Sequence, residues 1–343
     1  MARGRERASL PRTPGGVRER PNRHAWKACE GQPSVGSNPT PSAPEHVLAE
    51  RQRHGHIAWA LATSIGFYDR LVGDADLLAT IRKTFPVVSR WRVVLASQID
   101  VGGELAEDDL AWQWLPSSTL AMVGLGAARE HLHAIRLLID AGELFPSATS
   151  TLARSGLIGA SQAVWILRPD DRRERLRRAL SLARHDYVQH QKFGRYVTES
   201  FPAEQTHRSA REQMSRLKMR VEQVDALLAD LGGAYRIDMT NVVLRDAVDV
   251  FADPAVRAQV RGRWQQVSGS VHGLAWQHFG QEVTEVAELS ADGIGLVTIG
   301  GDIAQLAVDY FCVFHLASAA WKLFARRAGQ PSLAVEWTYA TST

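Results

Sequence analysis

The sequence has few cysteines and lacks the short motifs that mark well-defined enzyme classes. Cys29 and Cys312 are its two cysteines, so it has neither a disulfide framework nor a CxxC metal site, which suits a reducing cytoplasm. It also lacks a GxxxxGK[ST] phosphate loop, a GxSxG nucleophile elbow and an HExxH zinc motif. These absences disfavour P-loop nucleotide hydrolases, α/β-hydrolases and zinc peptidases, and we expect no cofactor and no metal.

The excess of positive charge is confined to the first part of the chain. The whole sequence has 40 Lys and Arg against 37 Asp and Glu. Residues 1–43 hold eight basic and three acidic residues, and the remainder holds 32 and 34. The basic isoelectric point therefore gives no reason to expect nucleic-acid binding by the folded part. Residues 1–43 are rich in Arg, Pro, Gly and Ser without an apolar period, so we expect a disordered tail rather than a secretory signal.

This tail also resembles a translated tRNA gene. The segment Gly36-Ser37-Asn38-Pro39 fits the codons GGN-TCN-AAY-CCN, which resemble the T-arm of bacterial tRNA genes. Upstream, Ala25-Trp26-Lys27-Ala28-Cys29 fits an anticodon loop with a serine anticodon, at a spacing that suits the long variable arm of serine tRNAs. The resemblance implies that residues 1–43 are a spurious extension and that translation starts near Val47 or Leu48. A genuine basic arm that binds nucleic acid is the alternative.

Apolar residues recur at helical spacing along most of the remaining chain. We predict an all-α fold, a multi-helix bundle over residues 44–331, with a sub-boundary near 198–202 and a frayed C-terminus over 332–343. The predicted helices cover residues 44–72, 75–97 with a kink at Pro86, 116–141, 146–167, 170–197, 202–231, 240–251, 254–268 and 301–327. Residues 100–109 are Gly-rich and acidic, which predicts a loop. Residues 283–299 predict a small β-hairpin around Asp292-Gly293.

The last predicted helix is the most apolar segment of the chain. Residues 303–321 approach the length of a membrane span, but they include Gln305, Asp309 and His315. A central Asp costs about 2.5–3.5 kcal/mol on membrane-insertion scales. We therefore predict a buried amphipathic core helix in a cytoplasmic protein without a membrane span.

Two strongly charged helices are candidate partner surfaces. Residues 170–190 carry six arginines after three acidic residues in the first turn. Such a helix binds phosphate backbones or presents a solvated face, and the order of its charges favours the solvated face. Residues 205–231 place apolar side chains at helical spacing between Arg and Glu residues. We predict that this helix packs or dimerises, and that the protein forms a homo-oligomer through it.

Histidines are the remaining candidates for chemistry. His131 and His133 stand two apart on a predicted helix, so they point to different sides and do not easily share a metal. His272 lies in the turn Ser268-Gly269-Ser270-Val271-His272-Gly273, where it serves as a general acid or base or holds the turn together.

Parts of the chain resemble known helical proteins. Residues 127–178 resemble a group of uncharacterised actinobacterial helical proteins in the following positions: Glu130-His131-Leu132, Arg154, Trp165, Pro169, Arg175 and Arg178. The Ser-x-x-Val-His turn that ends at His272 resembles one in helical proteins related to the HEPN group. This likeness implies a metal-independent ribonuclease with an Arg-x(4–6)-His motif. The sequence holds four such pairs, Arg184–His190 among them, against about four expected by chance.

Three functions stay open at this point. The first is a non-enzymatic interaction or regulatory module, because no catalytic constellation stands out. The second is a HEPN-like ribonuclease in stress or phage defence, which acts on RNA with His272, Arg184 and His190 as candidate catalytic residues. The third is a helical pocket for a small apolar ligand, lined by Trp112, Trp114, Trp165 and Trp276. Tryptophans in helical bundles mostly belong to the core, which weighs against the pocket.

Overall fold

A computed structural model describes residues 73–91, 99–200, 204–274, 276, 283–286, 297–299 and 301–330. These residues are mostly helical, which confirms the all-α class. Several predictions lie outside the described residues: the tail 1–43, the first predicted helix 44–72, the Asp292-Gly293 turn and the C-terminal segment 332–343.

The main helices follow one another along the chain. They are α1 (Asp74–Arg90), α2 (Glu104–Asp109), α3 (Ser117–Ala141), α4 (Pro146–Leu167), α5 (Arg172–Ser200), α6 (Glu204–Asp230), α7 (Pro254–Val271) and α8 (Ile303–Arg327). An irregular helical segment between α6 and α7 consists of a π turn (Met239–Leu244), one α turn (Arg245–Ala247) and a 3-10 turn (Val248–Val250). Two short strands, β1 (Val283–Val286) and β2 (Val297–Ile299), pair antiparallel, with Val283 opposite Ile299.

Helix boundaries follow the local signals of the sequence at several places. α4 begins with Pro146, which is tolerated in the first turn because its missing N–H has no helical partner there. α3 ends at Ala141, and Gly142 follows it with a left-handed φ of 74°. The N–H groups of Gly142 and Glu143 then donate to the carbonyls of Ile139 and Leu138. The predicted bounds of α3 and α4 are therefore confirmed.

Two local predictions are wrong. Residues 104–109 form α2 instead of a loop, because Leu105 and Asp108 are buried and Asp108 pairs with Arg175 of α5. Glu104 pairs with Arg327, so the start of α2 approaches the end of α8. Gly103 permits the approach, since a Cβ there would lie 2.8 Å from the carbonyl carbon of Ala328. α1 ends at Arg90 instead of residue 97, because Trp91 adopts an extended conformation and is buried. The helix passes through Pro86 before it ends.

Two hydrophobic clusters form the interior of the described part. The larger one joins α1, α3, α4, α7 and α8, and the smaller one joins α4, α5 and α6 around Trp165, Tyr187 and Val224. α8 is long and apolar enough to cross a membrane by length and composition alone, but 61% of its most apolar window is buried inside the protein. The core helix of a soluble protein passes the same test.

Glycines bring α3 and α4 into backbone contact. Gly124 and Gly159 face each other, and a Cβ at either position would overlap the carbonyl oxygen of the other. The segment Gly124-Leu125-Gly126 lies inside α3, where a helix was predicted over residues 116–141. The tight α3–α4 contact fixes the scaffold that carries the clefts described below.

Candidate functional site

Two of the three candidate catalytic residues lie on α5, and the third directly follows the end of α7. Arg184 of α5 binds Asp225 of α6, with Nε 2.5 Å from Oδ1 and Nη2 3.3 Å from Oδ2. The hydrogen bond with Asp225 raises the pKa of the Arg184 guanidinium. His190 also faces α6, with its Nε2 3.1 Å from Nε2 of Gln213. His272 is exposed at the end of α7, where its backbone N–H donates to the carbonyl of Ser268.

The arginines of α5 hold the ends of other helices. Arg175 is buried and donates to Asp108 at 2.8 Å and to the carbonyl of Asp170 at 2.8 Å. Arg327, also buried, reaches the same end of α4 from α8 and donates to the carbonyl of Leu167 at 2.5 Å. We call this group of contacts the α4 clamp. It satisfies carbonyls that a helix C-terminus leaves without partners.

A second set of contacts closes the end of α6. Arg177 donates from Nε to the carbonyl of Gly233 at 2.7 Å and from Nη2 to that of Gly232 at 3.1 Å, and Arg173 binds the carbonyl of Asp230. Arg178 donates to Glu174 at 2.6 Å and to the carbonyl of Trp165 at 3.1 Å. The predicted solvated arginine face is therefore wrong for Arg175, which is buried, whereas Arg172 and Arg173 are exposed as expected. Backbone carbonyls of neighbouring helix ends bind several of these cations.

The family resemblance rests partly on residues that hold helices together. Arg175 donates to the carbonyl of Pro169, and Arg178 donates to that of Trp165. Arg154 stacks over the ring of Trp264 at 5.1 Å and donates to Ser268 Oγ at 3.1 Å. Packing and helix capping therefore account for the positions of Arg154, Arg175 and Arg178.

The four tryptophans of the predicted ligand pocket have separate partners. Trp112 donates to the hydroxyl of Tyr187 at 2.9 Å, and the fully buried Trp165 lies edge-on to Tyr235. Trp114 is exposed beneath the guanidinium of Arg220. Trp276 packs on Gly269 of α7. The apolar pocket stays a prediction that these contacts do not support.

A buried ion pair joins α7 to α8. The Arg263 and Asp309 side chains are 6% and 1% exposed, and Nε of Arg263 donates to Oδ1 of Asp309. Ser150 of α4 donates to Oδ2 of Asp309 at 3.4 Å, and Arg263 also donates to Gln266 Oε1 at 2.6 Å. A cleft of about 20 Å³ reaches Asp309, which is room for about one water molecule.

Cys312 lies one turn beyond Asp309 on α8. Burial raises the pKa of its thiol to about 12. The thiolate is the reactive form of cysteine, so this thiol is inert at neutral pH. The Arg263–Asp309 pair is balanced in charge and well hydrogen-bonded, and we assign it a structural role.

A second cleft carries basic groups that are not balanced in this way. Arg129, His133 and Arg136 follow one another at positions i, i+4 and i+7 of α3, which places them on one face. They line a cleft of about 60 Å³ together with Phe85, Val88 and Ser89 of α1, Leu132 of α3 and Tyr310 of α8. Nε of Arg129 is buried and has no hydrogen-bond partner. We call this space the basic cleft.

The two neighbouring histidines of α3 point to different sides. His133 is exposed and lines the basic cleft, whereas His131 is half-buried and its Cβ lies near the position that a Cβ on Gly156 of α4 would take. Burial lowers the pKa of the His131 imidazole. The predicted divergence of this pair is confirmed. Over the described ranges, no group of three or more His, Cys, Asp or Glu residues is arranged to hold a metal ion.

Comparison with known proteins adds no assignment. The chain matches no known protein family, no curated protein and no solved structure. The resemblance to actinobacterial helical proteins and to the HEPN group stays a prediction.

Proposed function

We propose that the protein is a non-catalytic helical interaction module that associates with a second copy of itself through the outer face of α5. The proposal concerns the distal arm, defined here as residues 188–200 of α5 and 208–216 of α6. Neither hydrophobic cluster includes a residue of α5 beyond Tyr187. The remaining part of α5 is about 20 Å long at 1.5 Å per residue.

Two aromatic side chains on the distal arm carry the proposal. Phe193 and Tyr196 are 62% and 58% exposed, and their spacing of three residues makes them neighbours on the helix surface. Between them, Gly194 packs on α6, where a Cβ would lie 2.8 Å from Cγ of Met214. The aromatic pair therefore lies away from the α5–α6 contact. Aromatic residues are enriched at protein interfaces and supply much of their binding energy.

The charges beside these rings favour a second copy in the antiparallel direction. Lys192 and Glu199 are seven residues apart, so they flank the aromatic pair along the same edge of α5. In an antiparallel pair centred near Tyr196, Lys192 of each copy approaches Glu199 of the other. Opposite charges at such flanking positions favour one partner and one orientation.

The apolar face of α6 is occupied within the chain. Leu217, Val224 and Leu228, which motivate the prediction of a homo-oligomer through helix 205–231, are buried in the cluster that α6 shares with α5. The proposal therefore keeps self-association in this hairpin but assigns it to the outer face of α5.

Sedimentation velocity on the full chain, over about 1 to 100 μM, tests the proposal. We expect a dimer whose population rises with concentration. Its dissociation constant should be about tenfold larger or more in the Phe193→Ser, Tyr196→Ser double variant, because buried aromatic contacts contribute much of the binding energy and a loss of about 1.4 kcal/mol corresponds to tenfold. Met219→Ser is the matched control, because Met219 is 53% exposed on α6, outside the proposed face. A monomer at every concentration, or equal dimerisation of all three proteins, would contradict the proposal.

A further inference from the structure

The basic cleft brings together donors from two helices. Arg129, His133 and Arg136 come from α3, and Ser89 comes from α1. Arg136 reaches toward α1, where its guanidinium lies 5.2 Å from the ring centroid of Phe85 and its Nη1 lies 3.4 Å from Ser89 Oγ. Side chains from both helices thus contact one another across the cleft.

Arg129 has a charge and a hydrogen-bond donor that no described group of the protein neutralises or accepts. Its Nε is buried and lacks a hydrogen-bond partner, and no carboxylate among the described residues forms an ion pair with it. A buried donor of a cation without a partner costs free energy. Arg136, by comparison, pairs with Asp140 at 3.3 Å, in a partly exposed contact. The cleft therefore holds more positive than negative charge.

The remaining walls restrict what can enter. Phe85, Val88, Leu132 and the buried Tyr310 form an apolar floor. The hydroxyl of Tyr310 already lies 2.6 Å from Oγ1 of Thr84, which itself donates to the carbonyl of Ile81. At about 60 Å³ the space corresponds to about four water molecules, too little for a drug-sized ligand or a polymer.

We infer that the basic cleft binds a small oxyanion of the phosphate class, either inorganic phosphate or the terminal phosphate of a monoester. An arginine fork matches the geometry of a phosphate group and gives Arg129 Nε an acceptor. His133 and Arg136 supply further donors at the rim, and the apolar floor keeps competing water out. This inference does not depend on self-association through α5.

Isothermal titration of the full chain with inorganic phosphate, in chloride buffers of matched ionic strength, tests the inference. We expect saturable binding to the wild type, and a dissociation constant at least about tenfold weaker for Arg129→Gln, since charge-assisted bonds to phosphate are lost. Arg216→Gln is the matched control: it removes an arginine that is 66% exposed on α6, and we expect its affinity to stay within about twofold of the wild type.

A second variant and a second ligand complete the test of phosphate binding. Arg136→Gln tests the site if Arg129→Gln fails to fold, and we expect weaker phosphate binding there too. Glycerol phosphate distinguishes the two sources, because tighter binding than that of inorganic phosphate assigns the site to monoesters, and weaker binding assigns it to the free ion. Absence of saturable binding, equal binding by Arg129→Gln and the wild type, or Arg129-dependent binding of an RNA lacking terminal phosphates would overturn the inference.

Discussion

The α3–α4 and α5–α6 hairpins share one topology but are held together in different ways. In the first, Gly124 and Gly159 let two backbones touch, and both helices contribute to the larger hydrophobic cluster. In the second, the ion pair between Arg184 and Asp225 bridges the helices, and Arg177 closes the end of α6. The first hairpin has a backbone contact at its glycines, whereas the second has larger apolar side chains at its contact and an exposed ion pair beside them.

This difference separates the roles of the two regions. The α3–α4 hairpin packs against α8 and supports both clefts, so it must keep one geometry. The α5–α6 hairpin continues past the smaller hydrophobic cluster and leaves its distal arm with exposed aromatic rings. Close packing tolerates few substitutions, whereas exposed surface tolerates many. We expect substitutions in the two regions to differ in cost accordingly.

Breaking the buried ion pair beside α4 gives the largest expected effect. Asp309→Asn leaves the Arg263 guanidinium charged and buried without its counter-ion. We expect the free energy of unfolding to fall by about 3–5 kcal/mol, measured by urea denaturation. The double variant Arg263→Met, Asp309→Leu removes both charges and should lie much closer to the wild type. Equal losses in the single and double variants would show that the charge pair is not the cause.

Adding one methyl group to α3 tests the backbone contact. Gly124→Ala drives a Cβ into the carbonyl of Gly159, and we expect a loss of about 3 kcal/mol in the free energy of unfolding. Gly126→Ala is a control two residues away on the same helix, where a Cβ meets no atom within 4 Å. It should stabilise the protein by about 0.5–1 kcal/mol, because alanine favours helix. Equal effects of the two substitutions would contradict the packing described for α3 and α4.

Acid should destabilise the core around α8. Burial lowers the pKa of His315 on α8 from 6.5 to about 4. The unfolded chain therefore binds the proton first, and stability falls as the pH falls through this window. We expect His315 to account for a loss of about 2 kcal/mol between about pH 7 and pH 5, measured by urea denaturation. The loss should be smaller by that amount in His315→Gln, and His131, whose pKa burial also lowers, contributes to what remains. A His315→Gln variant that keeps the full wild-type pH dependence would refute the assignment.

The exposed ion pair of the second hairpin gives the smallest expected effect. The Arg184 and Asp225 side chains are 38% and 44% exposed, so water screens their attraction. A double-mutant cycle with Arg184→Ala and Asp225→Ala should give a coupling energy of about 0.2–1 kcal/mol. A coupling energy as large as that of a buried pair would mean that the α5–α6 hairpin is held as rigidly as the α3–α4 hairpin.

Local chemistry predicted the scaffold better than it predicted the contacts between helices. Pro146 and Gly142 mark helix ends in the sequence, and the structure places them there. The spacing of Arg129, His133 and Arg136 is also visible along the chain. However, the residues of α1 and α8 that complete the basic cleft are joined to α3 only by tertiary packing.

The α5 arginines show why the order of charges alone did not predict which arginines contact other helices. Acidic residues followed by arginines are typical of a solvated helix, and this pattern describes α5 correctly as a helix. The partners of Arg175 and Arg177 are mainly carbonyls and acids from other parts of the chain, which have no sequence pattern. A hydrophobic pattern shows which face of a helix is buried. In contrast, no particular residue type marks the carbonyls at a helix C-terminus that lack hydrogen-bond partners.

The α4 clamp also sets an order of events during synthesis. Arg327, which holds the carbonyl of Leu167, follows it by 160 residues. At about 5–20 residues per second a ribosome needs about 8–32 seconds to add that length. Throughout that time the nascent α3–α4 hairpin lacks α8, its main apolar partner. The apolar surface that later packs on α8 is therefore exposed to solvent, or bound by chaperones, until α8 has been synthesised.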